Sequence, residues 1–400
     1  MKETRFKDTE IGRIPEDWST DKLGDIGELA MCRRIFQDET SPNGDIPFYK
    51  IGTFGKKADA FISKEKFEAY KSTYRYPQKG DILISAAGTI GRLVVFDGTP
   101  SYFQDSNIVW LAHNNRKVIN PFLHYRFQTI KWNIENTTIA RLYNNNFNNT
   151  LISFPPLSEQ SRIASALTSI DNLISSLDKL IEKKKAIKEG TMQQLLTGKK
   201  RLKGFNEPWV ERKLGEIASM NSGGTPTSSN PSYYDGNINF LSISDMTASG
   251  KYIKATEKTI TELGLSISSA RLFPAGTLMY AMYASLGKCS ISTIDTAISQ
   301  AILGFKLSDQ VERDFLYYHF SFIENKVKTM GQTGTQSNLS KGIVKEFSIN
   351  LPSLSEQRAI ACVLSSMDNE ISAIQAKKAK YESIKQGMMQ QLLTGRIRLV

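Results

Sequence analysis

Two sets of side chains in this sequence have the chemistry to meet a polyanion. The first comprises Arg33, Arg34, Lys56, Lys57, Arg75, Arg92 and Arg141, followed by the asparagine-rich run 143–149 with Asn145 near its centre. The second comprises Lys251, Lys254 and Lys288, then the polar run 331–338 containing Gln336 and Asn338, then Lys341. Cationic side chains neutralise phosphate; a guanidinium can also bind guanine through two parallel hydrogen bonds, and a carboxamide can bind adenine in the same way. Taken singly, each of these residues also suits a solvated surface. The total charge agrees with the collective reading: 51 Lys+Arg against 40 Asp+Glu leave a net charge of +11. A basic excess of that size points to nucleic acid before a membrane surface.

Constellations that make or break bonds are not found. The three histidines, His113, His124 and His319, have no second histidine or cysteine at ligand spacing, so no zinc site is expected. Three cysteines, with no CxxC, predict no disulfide framework and suit a reducing cytoplasm. Asn230-Pro-Ser-Tyr233 looks like the Asn-Pro-Pro-Tyr motif of DNA amino-methyltransferases, but the preceding Gly/Ser/Thr/Pro stretch offers no strand-to-helix turn to hold S-adenosylmethionine. Gly287-Lys288 echoes a phosphate-binding loop, yet Met282 stands where that loop needs glycine and Cys289 where it needs Ser or Thr. No catalytic residue and no metal ligand is assigned. The N-terminus is polar rather than signal-like, and no apolar run approaches the ~20 residues of a membrane helix.

The elements that must position the basic residues occur twice. Residues 154–202 and 351–399 align without a gap and share PxLSEQ, MQQLLTG and a final Arg-Leu. The repeat extends into the segments between them. WSTDKLGDI at 18–26 matches WVERKLGEI at 209–217, Gly91-Arg92 falls opposite Gly287-Lys288, Gln104 opposite Gln300, and the run 122–127 opposite 315–320. The order is a variable head, a helix, a second variable head and a second helix. We divide the chain into a first head at 1–153, a central helical region at 154–203, a second head at 204–350 and a C-terminal helical region at 351–400.

Each head reads as mixed α/β. Strands are predicted at 48–54, 80–85, 92–96 and 106–111 in the first head, and at 237–243, 277–283 and 301–307 in the second, with amphipathic helices at 120–136 and 314–328. The repeated segments predict long helices, with Ser158 and Ser355 as N-caps and Gly198 and Gly395 as C-terminal stops. The glutamate of SEQ is expected to favour the positive end of the helix dipole. Apolar residues recur in steps of four and three at Ile163, Leu167, Ile170, Ile174, Leu177 and Ile181, and at Ile360, Leu364, Met367, Ile371 and Ile374. That is a coiled-coil seam, on rods of about 55 Å. One such stripe cannot be buried alone, and two can bury each other. The expectation is an α+β fold with two globular heads separated by an antiparallel helix pair, a pseudo-two-fold internal repeat whose chain ends meet.

With both signatures, the paired W…KLG(D/E)I openings and the SGGTPTSSNPSYYDGNINFLSISDM stretch, the chain resembles the specificity subunit of type I DNA restriction–modification systems along essentially its whole length. The resemblance implies that each head is a target recognition domain for one half of a bipartite site in double-stranded DNA. It further implies that the helices set the gap and dock two methyltransferase subunits. S-adenosylmethionine would then belong to those subunits, and ATP and Mg to the restriction subunits, so this chain carries no cofactor of its own and is not an enzyme. Two other functions compete with this one: a self-sufficient DNA adenine methyltransferase or nuclease, and a coiled-coil adaptor with no DNA role. The first head departs from the second by lacking the Gly-Gly-Thr-Pro loop, so the two heads are expected to read different sequences.

Overall fold

The computed structural model describes residues 5–133, 141–333 and 338–399. The chain divides into two compact units: Met1–Asp178 with Ala376–Val400, and Lys179–Gln375. The long helices α3 (Leu157–Leu195) and α5 (Leu354–Leu392) therefore each give one half to each unit.

In the first unit, after an N-terminal hairpin of Phe6–Thr9 and Gly12–Pro15, the strands are β1 (Ser19–Lys22), β2 (Glu28–Met31), β3 (Ile46–Tyr49), β4 (Ala60–Ile62), β5 (Ile82–Ser85), β6 (Leu93–Val95), β7 (Tyr102–Phe103), β8 (Ile108–Ala112) and β9 (Leu151–Phe154), with the longer helices α1 (Lys64–Thr73) and α2 (Asn120–Thr129). A platform sheet has the antiparallel order β2-β8-β5-β6, and a smaller sheet has the order β4-β3-β7 with β3 and β7 parallel. Two cores follow from the two faces of the platform. Ile82, Ile84, Val109 and Leu111 alternate onto one face and meet Phe122, Leu123, Phe127, the long-helix residues Ile163, Leu167 and Leu392, and Leu393 just past the end of α5. Leu83, Ile108 and Trp110 face the other way, toward Phe48, Phe54, Phe67, Tyr102 and Phe103. A period of two, with both faces apolar, is what a strand buried on both sides requires.

The second unit repeats the platform. Its strands are β10 (Val210–Lys213), β11 (Ala218–Ser222), β12 (Tyr234–Leu241), β13 (Tyr252–Ile253), β14 (Lys258–Ile260), β15 (Arg271–Phe273), β16 (Leu278–Ala281), β17 (Cys289–Ser292), β18 (Thr296–Ile298), β19 (Ile302–Leu307) and β20 (Ser348–Leu351), with helix α4 (Arg313–Thr333). The platform order is β11-β19-β16-β17-β13, and the smaller sheet is β14-β12-β18-β15. Phe315, Leu316, Tyr318 and Phe320 of α4 share the main core with Met192, Leu195, Ile360 and Leu364 from the long helices, and with Leu196 just past the end of α3.

Within each unit the long helices run antiparallel. In the second, Lys184 pairs with Glu370 at 2.6 Å and Lys188 with Asp368 at 2.5 Å; in the first, Asp171 pairs with Lys385 at 2.7 Å and Asp178 with Lys378 at 2.6 Å. The expected seam is modified. Ile163, Leu167, Ile360 and Leu364 are buried in the cores of the heads. Leu177, Ile181 and Ile371 are also buried, whereas Ile170, Ile174, Met367 and Ile374 are half-buried. The stripe is narrow because the helix ends are covered by sheets, so a partner helix is needed only in the middle.

Three local expectations are corrected. The helices begin at Leu157 and Leu354, one residue before Ser158 and Ser355. Pro156 and Ser353 occupy the cap positions, their carbonyls accepting from the Gln160 and Gln357 amides at 3.0 and 2.9 Å. The predicted strand 48–54 stops at Tyr49, because residues 50–56 turn. Helix α2 ends at Thr129.

Candidate nucleic-acid interface

The residues that fasten each head to the helices are built the same way twice. Ribbon β1–β9 pairs Ser19 with Phe154, which brings Trp18 beside the start of α3; ribbon β10–β20 pairs Val210 with Leu351 and does the same for Trp209 and α5. Gly198 and Gly395 both adopt φ +69° and turn the chain back from the helix ends, delivering Arg201 and Arg398. A side chain at Gly395 would collide with Pro15, its Cβ standing 2.4 Å from the proline ring.

The result is a Trp–Glu–Arg cluster in each unit. Arg398 makes two hydrogen bonds to Glu159, at 2.8 and 2.7 Å, and two more to Asp17. The Trp18 indole donates to the same glutamate at 3.3 Å. Arg201 makes two bonds of 2.6 Å to Glu356, and Trp209 donates to it at 3.1 Å. The glutamates are buried, at 2% and 1% side-chain exposure, so bidentate pairing is what makes their charge tolerable. Hydrogen bonding to Glu159 raises the Arg398 guanidinium above its ordinary value, and the Arg398 bond lowers Asp17. The glutamine of SEQ is also buried. Gln160 donates to Pro155 and Lys117 carbonyls and accepts from Ile119, which fixes the entry to α2. Gln357 repeats this with Pro352, Gln310 and Glu312. The SEQ glutamate was expected to serve the helix dipole; its main partner is instead an arginine from the end of the other long helix.

A second repeated cluster joins the head helices to the rods. The Tyr125 hydroxyl donates to Asp171 at 2.8 Å, and Asp171 also holds Lys385; the Tyr318 hydroxyl donates to Asp368 at 2.6 Å, and Asp368 also holds Lys188. Burial, with Asp171 beside it, pushes the Tyr125 hydroxyl up to about 12. In the second unit Lys251 joins in. Its ammonium lies 2.5 Å from Asp314, bonds Tyr318 and Ser365, and sits 4.5 Å over the Tyr318 ring. Lys251 is therefore withdrawn from the nucleic-acid set, because its charge is spent on an internal carboxylate in a largely buried site.

The remaining basic residues fall into separate groups. Arg33, Arg34 and Arg75 come together with Phe36, Tyr70 and Tyr74 around a recess of about 570 Å³. Arg34 pairs with Asp105 at 2.9 Å and Arg75 pairs with Glu28. Lys56 and Lys57 are exposed at the end of the 50–56 turn. Arg92 is half-buried and donates to the Phe54 carbonyl at 3.0 Å, so it braces that turn from within.

A further group forms at the β5–β6 hairpin, where Leu142 donates to Ala86 and Arg141 bridges Ala87, leaving the Arg141 side chain exposed. The β16–β17 hairpin repeats this. Leu339 donates to Met282, which sets exposed Asn338 beside the hairpin carrying Lys288. The two hairpins share backbone geometry, with φ +64° at Gly88 and +55° at Ala284, then +82° at Gly91 and +79° at Gly287. Asn145 is bonded to Asn149, Lys341 donates to Asn221 at 3.2 Å, and Lys254 is exposed. Gln336 lies outside the described residues. Among the described residues no helix is long and apolar enough to cross a membrane, and no group of His, Cys, Asp and Glu has the arrangement of a metal site.

The arginine clasps and tyrosine latches escaped the reading of the sequence, although a signal existed. Trp18/Trp209, Glu159/Glu356, Arg201/Arg398, Asp171/Asp368 and Lys188/Lys385 are polar or aromatic residues held at matching places in the two repeats.

Comparison with known proteins agrees with this doubling. The family described as "Type I restriction modification DNA specificity domain" matches twice, at residues 15–189 and 206–385. A protein of Haemophilus influenzae provisionally named a type I restriction enzyme specificity subunit is 56% identical over 157 residues, which is 39% of this chain and 41% of that protein. The chain thus spans about two fifths of that relative. It aligns over its full length, and over 97% of the relative, with the type I restriction enzyme MjaVIII specificity subunit of Methanocaldococcus jannaschii, at 26% identity. A crystal structure of the type I restriction–modification S subunit from M. genitalium superposes with a TM-score of 0.61 at 15% identity, covering 94% of this chain and 96% of that one. A chain from a structural study of type I restriction–modification complex assembly and conformational transition gives 0.60 at 19%, covering 96% and 99%. Two head-and-helix repeats, two matching domains and a shared fold place this chain in the type I restriction–modification DNA specificity family, as a specificity subunit with two recognition domains.

Proposed function

We propose that this chain is the non-catalytic reader and scaffold of a type I restriction–modification assembly. Each head reads one half of a bipartite site in duplex DNA. The helix pair sets the spacing between half-sites and docks two methyltransferase subunits. Those subunits carry S-adenosylmethionine and methylate adenine; restriction subunits, where present, use ATP and Mg to cleave unmodified DNA. Cationic contacts to phosphate supply affinity, and contacts to base edges supply choice. Such an assembly works in the cytoplasm.

The observation that carries this reading is the pairing of identical fastenings with different tips. Both heads are tied to the helices by the same Trp–Glu–Arg and Tyr–Asp–Lys clusters, whereas their smaller sheets differ in strand number and lining. A part that must be interchangeable keeps its fastening and varies its working face.

Methylation mapping of host DNA with and without the chain tests it, repeated after a one-turn insertion following Leu177. The expected result is loss of one bipartite methylated site without the chain, and an altered spacer with both half-sites kept after the insertion. Altered half-sites with an unchanged spacer would overturn the division of labour. Methylation or cleavage by the purified chain alone would establish a self-sufficient enzyme instead.

A further inference from the structure

We infer that the first head reads a guanine with Arg33, held ready on the face of Tyr74 in the recess beside Phe36. This deepens the proposed function and rests on it. The chain leaves β2 at Met31, and Cys32 and Ile35 are both buried, at 2% and 8% exposure. Anchors three residues apart force Arg33 and Arg34 outward between them. The three arginines of the recess are not equivalent. Arg34 is occupied by Asp105 and Arg75 by Glu28. Arg33 has no ion-pair carboxylate among the described residues; its guanidinium lies 5.4 Å over the Tyr74 ring. An aromatic face orients a guanidinium without using its N–H donors, so the donors remain available in a fixed plane. Two parallel donors in a plane are what the O6 and N7 atoms of guanine accept in the major groove.

The platform for Arg33 is itself held. Tyr74 packs edge-on against Tyr70, with ring centroids 5.3 Å apart, and Tyr70 packs on buried Tyr102 at 6.0 Å. Phe36, 60% exposed, separates this recess from a second of about 570 Å³ lined by Gln37, Thr40, Lys50 and Gln104. The strip therefore places a planar cation, an apolar ring and a carboxamide side by side. The second head carries glycine where the first carries this arginine. Counted from Trp18 and Trp209, Arg33 falls opposite Gly224. A Cβ at Gly224 would stand 2.7 Å from the Ser269 Cβ, and one at Gly223 only 1.7 Å from the Ile298 carbonyl oxygen. Backbone is pressed there where the first head carries side chains, so the guanine contact belongs to the first half-site alone.

The test uses the complex of this chain with its methyltransferase subunits, S-adenosylmethionine, and a duplex library randomised across the half-site of the first head. Arg33→Ala should lower the preference for G·C at one position by about 10- to 100-fold, leaving the other half-site and the spacer unchanged. Arg33→Lys keeps the charge and the buried anchors but loses the two-donor plane, and should relax the same position. An unchanged preference at every position overturns the inference. So does an equal loss of methylation across all library members with either variant, which is the signature of a phosphate contact. If the wild-type chain directs no sequence-specific methylation at all, the proposed function fails instead, and the two failures are told apart.

Discussion

The two smaller sheets differ where the two platforms agree. In the first head, β4-β3-β7 with α1 encloses an aromatic core in which Phe67, Tyr70, Tyr76, Phe96, Tyr102 and Phe103 meet edge-on or stacked. In the second, β14-β12-β18-β15 covers two smaller clusters of Leu, Ile, Met and Ala with Phe240. Both sheets nevertheless keep one parallel pair, β3–β7 and β12–β18. A single topology therefore tolerates two solutions to filling its interior. Cores accept different side chains provided volume and pattern are kept. The fastenings are not so free. A buried glutamate needs its arginine, and a buried arginine its glutamate, so one cannot change alone.

That contrast can be broken most severely at the arginine clasps. Arg398→Ala strands Glu159 in a buried site and should destabilise the first unit by about 3–5 kcal/mol in denaturant unfolding. Arg201→Ala should cost the second unit less, because Arg201 is more exposed than Arg398, at 26% against 11%, and lacks the second carboxylate that Asp17 provides. Equal and small losses would show that the clasps are decorative.

The tyrosine latches should sharpen the comparison at a smaller scale. Tyr318→Phe removes donation to Asp368 and a partner of Lys251, and should cost roughly 1–3 kcal/mol. Tyr125→Phe should cost less, since the Lys251 arrangement belongs to the second unit. A larger loss from Tyr125→Phe would reverse the ranking argued here.

Acid offers the mildest discrimination. Burial pushes the His319 imidazole from 6.5 down to about 4, and its Nδ1 is enclosed without a partner. The folded state therefore refuses a proton that the unfolded chain accepts. This contribution is complete above pH 6.5 and is lost as pH falls from there toward 4. The residue is half-buried, which holds the effect to on the order of 1 kcal/mol. His124 in the first head is also lowered by burial, but Asp171 opposes the shift. Hydrogen exchange between pH 7 and 4.5 should show the second unit weakening first, and His319→Gln should remove the difference; an identical acid response in both units would refute it.

Much of this was legible in the residues. The gapless repeat, the SEQ and LLTG signatures and the four-three spacing gave two heads and two long helices. Of the platform strands, β5, β6, β8, β16 and β19 were legible from β-branched and aromatic residues between glycine and proline breakers, whereas β2, β11, β13 and β17 were not. The N-caps were misplaced by two residues because the Pro156 and Ser353 carbonyls already accept the first helical bonds and the buried glutamine side chains tie the proline carbonyls beside them. Lys251 was misread because composition cannot tell a cation facing solvent from one facing Asp314, a residue far away in the chain.

The sequence by itself determined that the molecule is doubled and that each copy carries one long helix, placed to within a residue or two at its start, since periodicity and breakers act over neighbouring residues. Only the tertiary structure decided that the arginine ending one repeat serves the glutamate opening the other, and that Arg34 and Arg75 meet carboxylates while Arg33, among the described residues, meets an aromatic ring instead. Those choices depend on which distant carboxylates come within a few ångströms once the sheets and helices pack, and no local pattern carries that distance.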